Sequence, residues 1–189
     1  MIDFIEGCYV AHYDALFGKP AQGDEFDQDG QSTPIRVIGF DGVIEECRTF
    51  CTLGLTRYKD ELDLLAEVYV PVDGGWDIVD YVLANVLFEL IEQNVKLRSG
   101  TTVNFGSAVP EFVERFGKSA LYITSPFDLP EEIYRVPCGD ENGFMLLGVF
   151  ISESEDHFRL HEGDKGSTNY SKPTRLIHTT CCDERSYKV

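Results

Sequence analysis

The chain has 189 residues, 43% of them hydrophobic and 12% aromatic. That is enough for one domain able to bury roughly 70% of its unfolded surface, and too apolar for a disordered or collagen-like polymer. Thirty-three acidic residues against sixteen basic ones give a formal charge of −17, a field that repels phosphate backbones and anionic lipid and excludes nucleic-acid binding by counterion release. The same field speeds encounter with a basic protein partner, although solubility alone also accounts for it.

The first stretch, IDFIEGCYVAHYDALFG, spaces Phe4, Ile5, Cys8, Tyr9, His12, Tyr13 and Leu16 at one, three and four residues and ends on Gly18. It predicts an N-terminal amphipathic helix over 3–17 with a glycine stop. Residues 19–34 are polar and acidic and read as a loop; DEFDQDG within them superficially suggests calcium, but the register of an EF-hand fails. IRVIGF at 35–40 and TFCTLGL at 49–55 read as strands. Residues 62–70 alternate, with Leu62, Leu64, Ala66, Val68 and Val70 facing one way and Asp63, Glu67 and Tyr69 mostly the other, so a half-buried strand is predicted.

The strongest pattern follows. Gly74 and Gly75 break the strand, Asp77 is placed to cap, and apolar pairs recur at 78/79, 82/83, 86/87 and 90/91. They predict a central helix that packs a broad stripe on a sheet and stops near Arg98, with Gly100 past its end. TTVNF at 101–105 reads as extended, PEFVERF as a short helical turn and ALYIT at 120–124 as a strand. GFMLLGVFI at 143–151, an unbroken apolar run framed by glycine, suits a strand buried on both faces. Ser152 and Glu155 form a capping box for a helix, and TRLIHT near the C-terminus reads as a last strand. The irregular interleaving predicts an α/β (mixed α+β) fold, a mixed, largely antiparallel sheet covered by helices.

The six cysteines, Cys8, Cys47, Cys51, Cys138, Cys181 and Cys182, include no CxxC pair and follow no secretory apolar region, which points to a reduced cytoplasmic setting. No apolar run is long enough to span a membrane. Cys51 as a nucleophile would need a neighbouring base and a lowered pKa; beside Phe50 and Leu53 a buried inert thiol is the simpler account. TLGLT lacks the repeated glycines and the lysine of a phosphate loop, so Gly54 reads as a bulge or a close backbone approach, with its Thr and Cys neighbours as core fillers. His157 and His161 share a helix face and would permit zinc, with Cys181 and Cys182 as further ligands, but HExxH is absent and a solvated helix face is the simpler reading.

Taken in order, TFCTLGLTRY, the alternating strand at 62–70, GGW with its long helix, SPFDLPEE, GFMLLGVFISESEDHF and the closing DERSYKV resemble the suppressor of fused (Sufu-like) family from about Pro34 to the end. The resemblance implies a single α/β domain over 1–189, with a core at about 34–189 and the N-terminal helix added, and no enzymatic activity and no cofactor. In animals such domains restrain a transcription factor by taking a short peptide as an added strand, whereas bacterial members look like immunity proteins that neutralise toxins. The chain matches only the first domain of the animal arrangement. Animal members carry an acidic residue shortly after the glycine that ends the long helix, where this chain has Gly100 followed by Thr101. A ligand strand at Thr101 to Val103 would therefore rely on backbone pairing.

The resemblance places candidate partner contacts at Trp76, Thr101, Thr102 and Val103. The function it implies is a bacterial immunity-type protein that neutralises a toxin, and the −17 charge suits a basic one. The rival readings are a regulatory module that binds peptides by strand addition and a metal-dependent hydrolase built on His157, His161 and the tail cysteines. A −17 surface discourages self-association without forbidding it.

Overall fold

A computed structural model describes residues 3–27, 34–43, 45–126 and 131–162. Helix α1 (Phe4–Phe17) starts where the Asp3 carboxylate accepts the Glu6 amide and stops at Gly18, whose φ of 77° ends the helical path. The buried face is set by Glu6, Tyr9 and Tyr13, while Phe4, placed on the apolar stripe by periodicity, stays 70% exposed.

Among the described residues eight strands form one sheet: β1 (Gln22–Phe26), β2 (Ile35–Asp41), β3 (Cys47–Leu53), β4 (Ala66–Asp73), β5 (Thr101–Asn104), β6 (Ala120–Thr124), β7 (Arg135–Cys138) and β8 (Glu141–Ile151). Their order is β1-β2-β3-β4-β8-β6-β5, and β7 pairs with the start of β8. Among the described residues only β4 and β8 run parallel; the other pairs are antiparallel, as the sequence predicts. Between the strands lie helices α2 (Lys59–Leu62), α3 (Val79–Glu92), α4 (Pro110–Phe116) and α5 (Glu131–Tyr134) and a 3-10 turn at Leu55–Tyr58, and α6 (Glu153–Glu162) follows β8. One sheet face packs on α3 through Val37, Phe50, Val68, Val70 and Leu121; the other packs on Tyr9 and Tyr13 of α1 through Phe40, Cys51, Leu53, Tyr69 and Met145.

Several expectations are corrected. The acidic loop at 19–34 contains β1, formed by a ladder with β2 from Gln22↔Gly39 to Phe26↔Ile35. QGDEF carries no strand pattern because backbone pairing at a solvated sheet edge asks little of side chains. The strand expected over 62–70 begins only at Ala66, since Leu62 closes α2. It is buried on both faces because helices cover both sides of the sheet, so Glu67 and Tyr69 are interior.

Helix α3 buries the predicted pairs but begins at Val79 and ends at Glu92. Asp77 does not cap it; its carboxylate pairs with Arg115 at 2.6 Å, and Ile78 takes the N-cap position with φ 53°. The chain leaves the helix early because Leu97 donates its amide to the Leu62 carbonyl at 2.8 Å, and Gly100 serves the entry to β5 rather than the helix end. The capping box is as predicted: the Ser152 hydroxyl accepts the Glu155 amide, and Glu155 accepts the Ser152 amide at 2.6 Å. The strand expected at TRLIHT lies outside the described residues.

Candidate partner-binding surface and the buried Glu67 site

At the end of β3 the ladder with β4 stops at Cys51↔Tyr69. There Thr52 Oγ1 accepts the Val68 amide at 2.8 Å and donates to Glu67 at 2.6 Å. Gly54, at φ 109°, then turns the chain into the 3-10 turn, and a side chain there would meet the Pro34 carbonyl at 2.9 Å. The turn has no side-chain cap of its own. Glu67 caps it from β4: its two oxygens accept the amides of Gly54, Leu55 and Thr56 at 2.9–3.3 Å and the hydroxyl of Thr56 at 3.2 Å.

Thr52 and Thr56 are therefore donors to a buried anion site rather than fillers, and Gly54 is a turn residue rather than a strand bulge. TLGLT cradles a carboxylate, supplied by the chain itself. Glu67 is 0% exposed, and burial pushes its carboxyl up to about 7 against the pull of these donors. Burial, and then the charge of Glu67, raise the Cys51 thiol well above its ordinary range, so Cys51 is a poor nucleophile. On the outer side of the turn, Arg57 pairs with Glu6 of α1 at 2.5 Å. Glu67 was missed because an acid within an alternating strand reads as solvent-facing; the T-x-G-x-T turn at 52–56 was the signal that a carboxylate could be held there.

The predicted contact residues fall in two places. Thr101, Thr102 and Val103 form β5, which ends the sheet order. Phe105 donates its amide to Ser119 at 2.9 Å, so alternation along the antiparallel pair turns the backbone groups of Thr102 and Asn104 away from β6. The Thr101 hydroxyl is spent on a local turn, accepting the Arg98 amide and donating to the Lys96 carbonyl, both at 3.2 Å. Val103 is 9% exposed and belongs to the core. Trp76 lies apart, stacked on Phe116 at 4.7 Å and edge-on to Phe112 at 5.7 Å; Phe112 in turn meets Phe105, the residue after β5.

A third surface was not foreseen, because it needs β1. Between the end of β1 and the outer side of α3 lies an open groove of about 370 Å³, with Phe26, Tyr81 and Phe88 as aromatic lining and Asp27, Glu89 and Glu92 as carboxylates. Tyr81 is 48% exposed. Aromatic faces beside carboxylates suit a lysine or arginine side chain, by cation–π attraction and charge pairing.

His157 and His161 lie on α6 with ring centroids 4.1 Å apart. Cys181 and Cys182 lie outside the described residues. Among the described residues no three His, Cys, Asp or Glu side chains converge as a metal set, and no helix is long and apolar enough to cross a membrane. Metal analysis of the purified protein is expected to give well under one equivalent of zinc or nickel; a stoichiometric metal would favour the hydrolase reading.

No family model matches the sequence, and no curated protein matches it. The fold, in contrast, matches a solved structure from Neisseria gonorrhoeae, provisionally described as a SUFU (suppressor of fused protein) homolog. The TM-score is 0.66 at 12% identity, over 93% of this chain and 98% of that one.

Proposed function

We propose, from the suppressor-of-fused-like fold of this chain, that it is a non-enzymatic protein-binding domain whose partner is a basic protein, in the specific form of a bacterial immunity-type protein that neutralises a toxin. The observation that carries this reading is the acidic, aromatic-lined groove between β1 and α3 on a chain of charge −17. A cationic partner is steered toward such a surface and anchored by a basic side chain in the groove. The chain contributes a preformed face, and no bond-making step is assigned to it.

Co-expression with the product of the adjacent reading frame tests the proposal. Protection and a stable complex are expected, with an association rate that falls steeply as salt is raised. Substituting both Asp27→Lys and Glu89→Lys is expected to weaken the complex by about tenfold or more, since both charges are reversed where the partner is cationic. An equally tight complex would remove the groove from the interface, and neither binding nor protection would remove the immunity reading.

The place of β5 at the end of the sheet among the described residues favours a second reading, a regulatory module that takes a peptide by strand addition. Thr102→Pro removes an outward-facing backbone donor while leaving the β5–β6 ladder its inward ones. Loss of binding in this variant, with the groove variant unaffected, would select strand addition over the groove.

A further inference from the structure

Two cysteines 130 positions apart in sequence meet where α1 lies along β7. The helix is held there at three levels. The Phe4 ring covers Gly139, where a side-chain Cβ would lie 3.4 Å from the ring. Between this contact and the next, Cys8 packs against the buried cluster that contains Cys138, and one turn further His12 Nε2 is 2.8 Å from the Ile133 carbonyl. Cys8 in turn donates to the Phe4 carbonyl at 3.4 Å. Both thiols are free; Cys138 is buried, whereas Cys8 is partly exposed and lines an open groove of about 590 Å³ with Phe4, Ala11, Val136 and Pro137.

We propose that Cys8 and Cys138 are an oxidisable dithiol that a peroxide closes into a disulfide, fixing α1 to β7. The groove admits the oxidant to Cys8. Its thiolate attacks one peroxide oxygen, the O–O bond breaks, the sulfur becomes a sulfenic acid and the released hydroxide leaves as water. Cys138 then attacks the Cys8 sulfur, the S–O bond breaks, and the departing hydroxide takes the Cys138 proton as a second water. Two thiols and one peroxide give one disulfide and two waters, with two electrons passing to the peroxide. Cys8, which lines the groove, is the thiol the oxidant reaches, and the buried Cys138 is the resolving one; burial and the Cys8 side chain beside it push the Cys138 thiol up to about 12, which makes its attack on the Cys8 sulfur the slow step. This inference does not depend on the partner-binding reading.

The test treats the full chain with hydrogen peroxide, alkylates the remaining thiols, and maps the cross-links by mass spectrometry of a non-reducing digest. A dominant Cys8–Cys138 linkage is expected, reversed by dithiothreitol. Closing so long a loop should raise the thermal midpoint by roughly 10 °C. In Cys138→Ser, Cys8 should stop at a sulfenic acid that dimedone labels. Linkage of Cys8 to another cysteine, or over-oxidation of Cys8 while Cys138 remains an alkylatable thiol, would overturn the proposal, as would a linked protein whose midpoint does not rise.

Discussion

Glu67→Ala is expected to destabilise the fold by about 4 kcal/mol or more, measured by chemical denaturation. Such a loss is a large fraction of the stability of an ordinary domain. Glu67 is the shared acceptor for three backbone amides and two threonine hydroxyls at the TLGLT turn. An alanine leaves these donors facing a cavity, and each buried donor without an acceptor costs about 1–3 kcal/mol, less where water enters. Lysine or arginine substitutions on the solvated β1 edge, by comparison, are expected to change stability by no more than about 0.5 kcal/mol.

The same carboxyl gives the protein a pH dependence of predictable sign. Its folded-state value is pushed up to about 7 from an ordinary 4.5, so the folded protein holds this proton more tightly than the unfolded chain. The stabilisation is complete below about 4.5 and is lost as pH rises toward 7. Between pH 5.5 and 8 the wild type should lose about 2 kcal/mol through this group alone. Glu67→Gln, which cannot titrate, starts from a lower stability because its amide N–H groups confront other donors, but it should show a flatter profile. Parallel profiles for the two proteins would show that Glu67 stays ionised across this range.

The second large effect is expected at Gly143→Ala, at about 3 kcal/mol. Gly143 sits in β8 against Tyr9, and an added Cβ would overlap the tyrosine hydroxyl and come within 2.9 Å of Cζ. Tyr9 cannot move away cheaply, because it is fully buried and its hydroxyl donates to the carbonyls of Phe144 and Leu65 at 3.1 and 3.3 Å. Overpacking of this kind costs about 1–3 kcal/mol, and displacing the hydroxyl adds a lost hydrogen bond. Tyr9→Phe alone should cost about 1 kcal/mol. Combined with Gly143→Ala it should cost less than the sum of the two, because removing the hydroxyl opens the space the new methyl needs. Additive losses in a double-mutant cycle would show that the contact is relieved elsewhere.

The elements that could be read directly are those whose signal is carried by neighbours along the chain. The paired apolar residues of α3, the glycine stop of α1, the apolar run of β8 and the Ser152–Glu155 box are each complete within a few turns or strand steps. The readings that failed needed a partner from elsewhere. β1 exists because β2 pairs with it, Asp77 is drawn from its capping role by Arg115, and α3 ends early where Leu97 is tied to Leu62.

The sequence by itself determined a mixed sheet covered by helices, most of its strands and the acidic character of its surface, since periodicity, turn residues and net charge are local or additive properties. Only the tertiary structure decided that Glu67 is an interior cap rather than a surface acid, that Cys8 packs on the cluster around Cys138, and that Asp27 shares a groove with Glu89. Each of these depends on which distant segments become neighbours. A buried donor, thiol or carboxylate is satisfied by whatever the fold places beside it, and spacing along the chain carries no record of that neighbour.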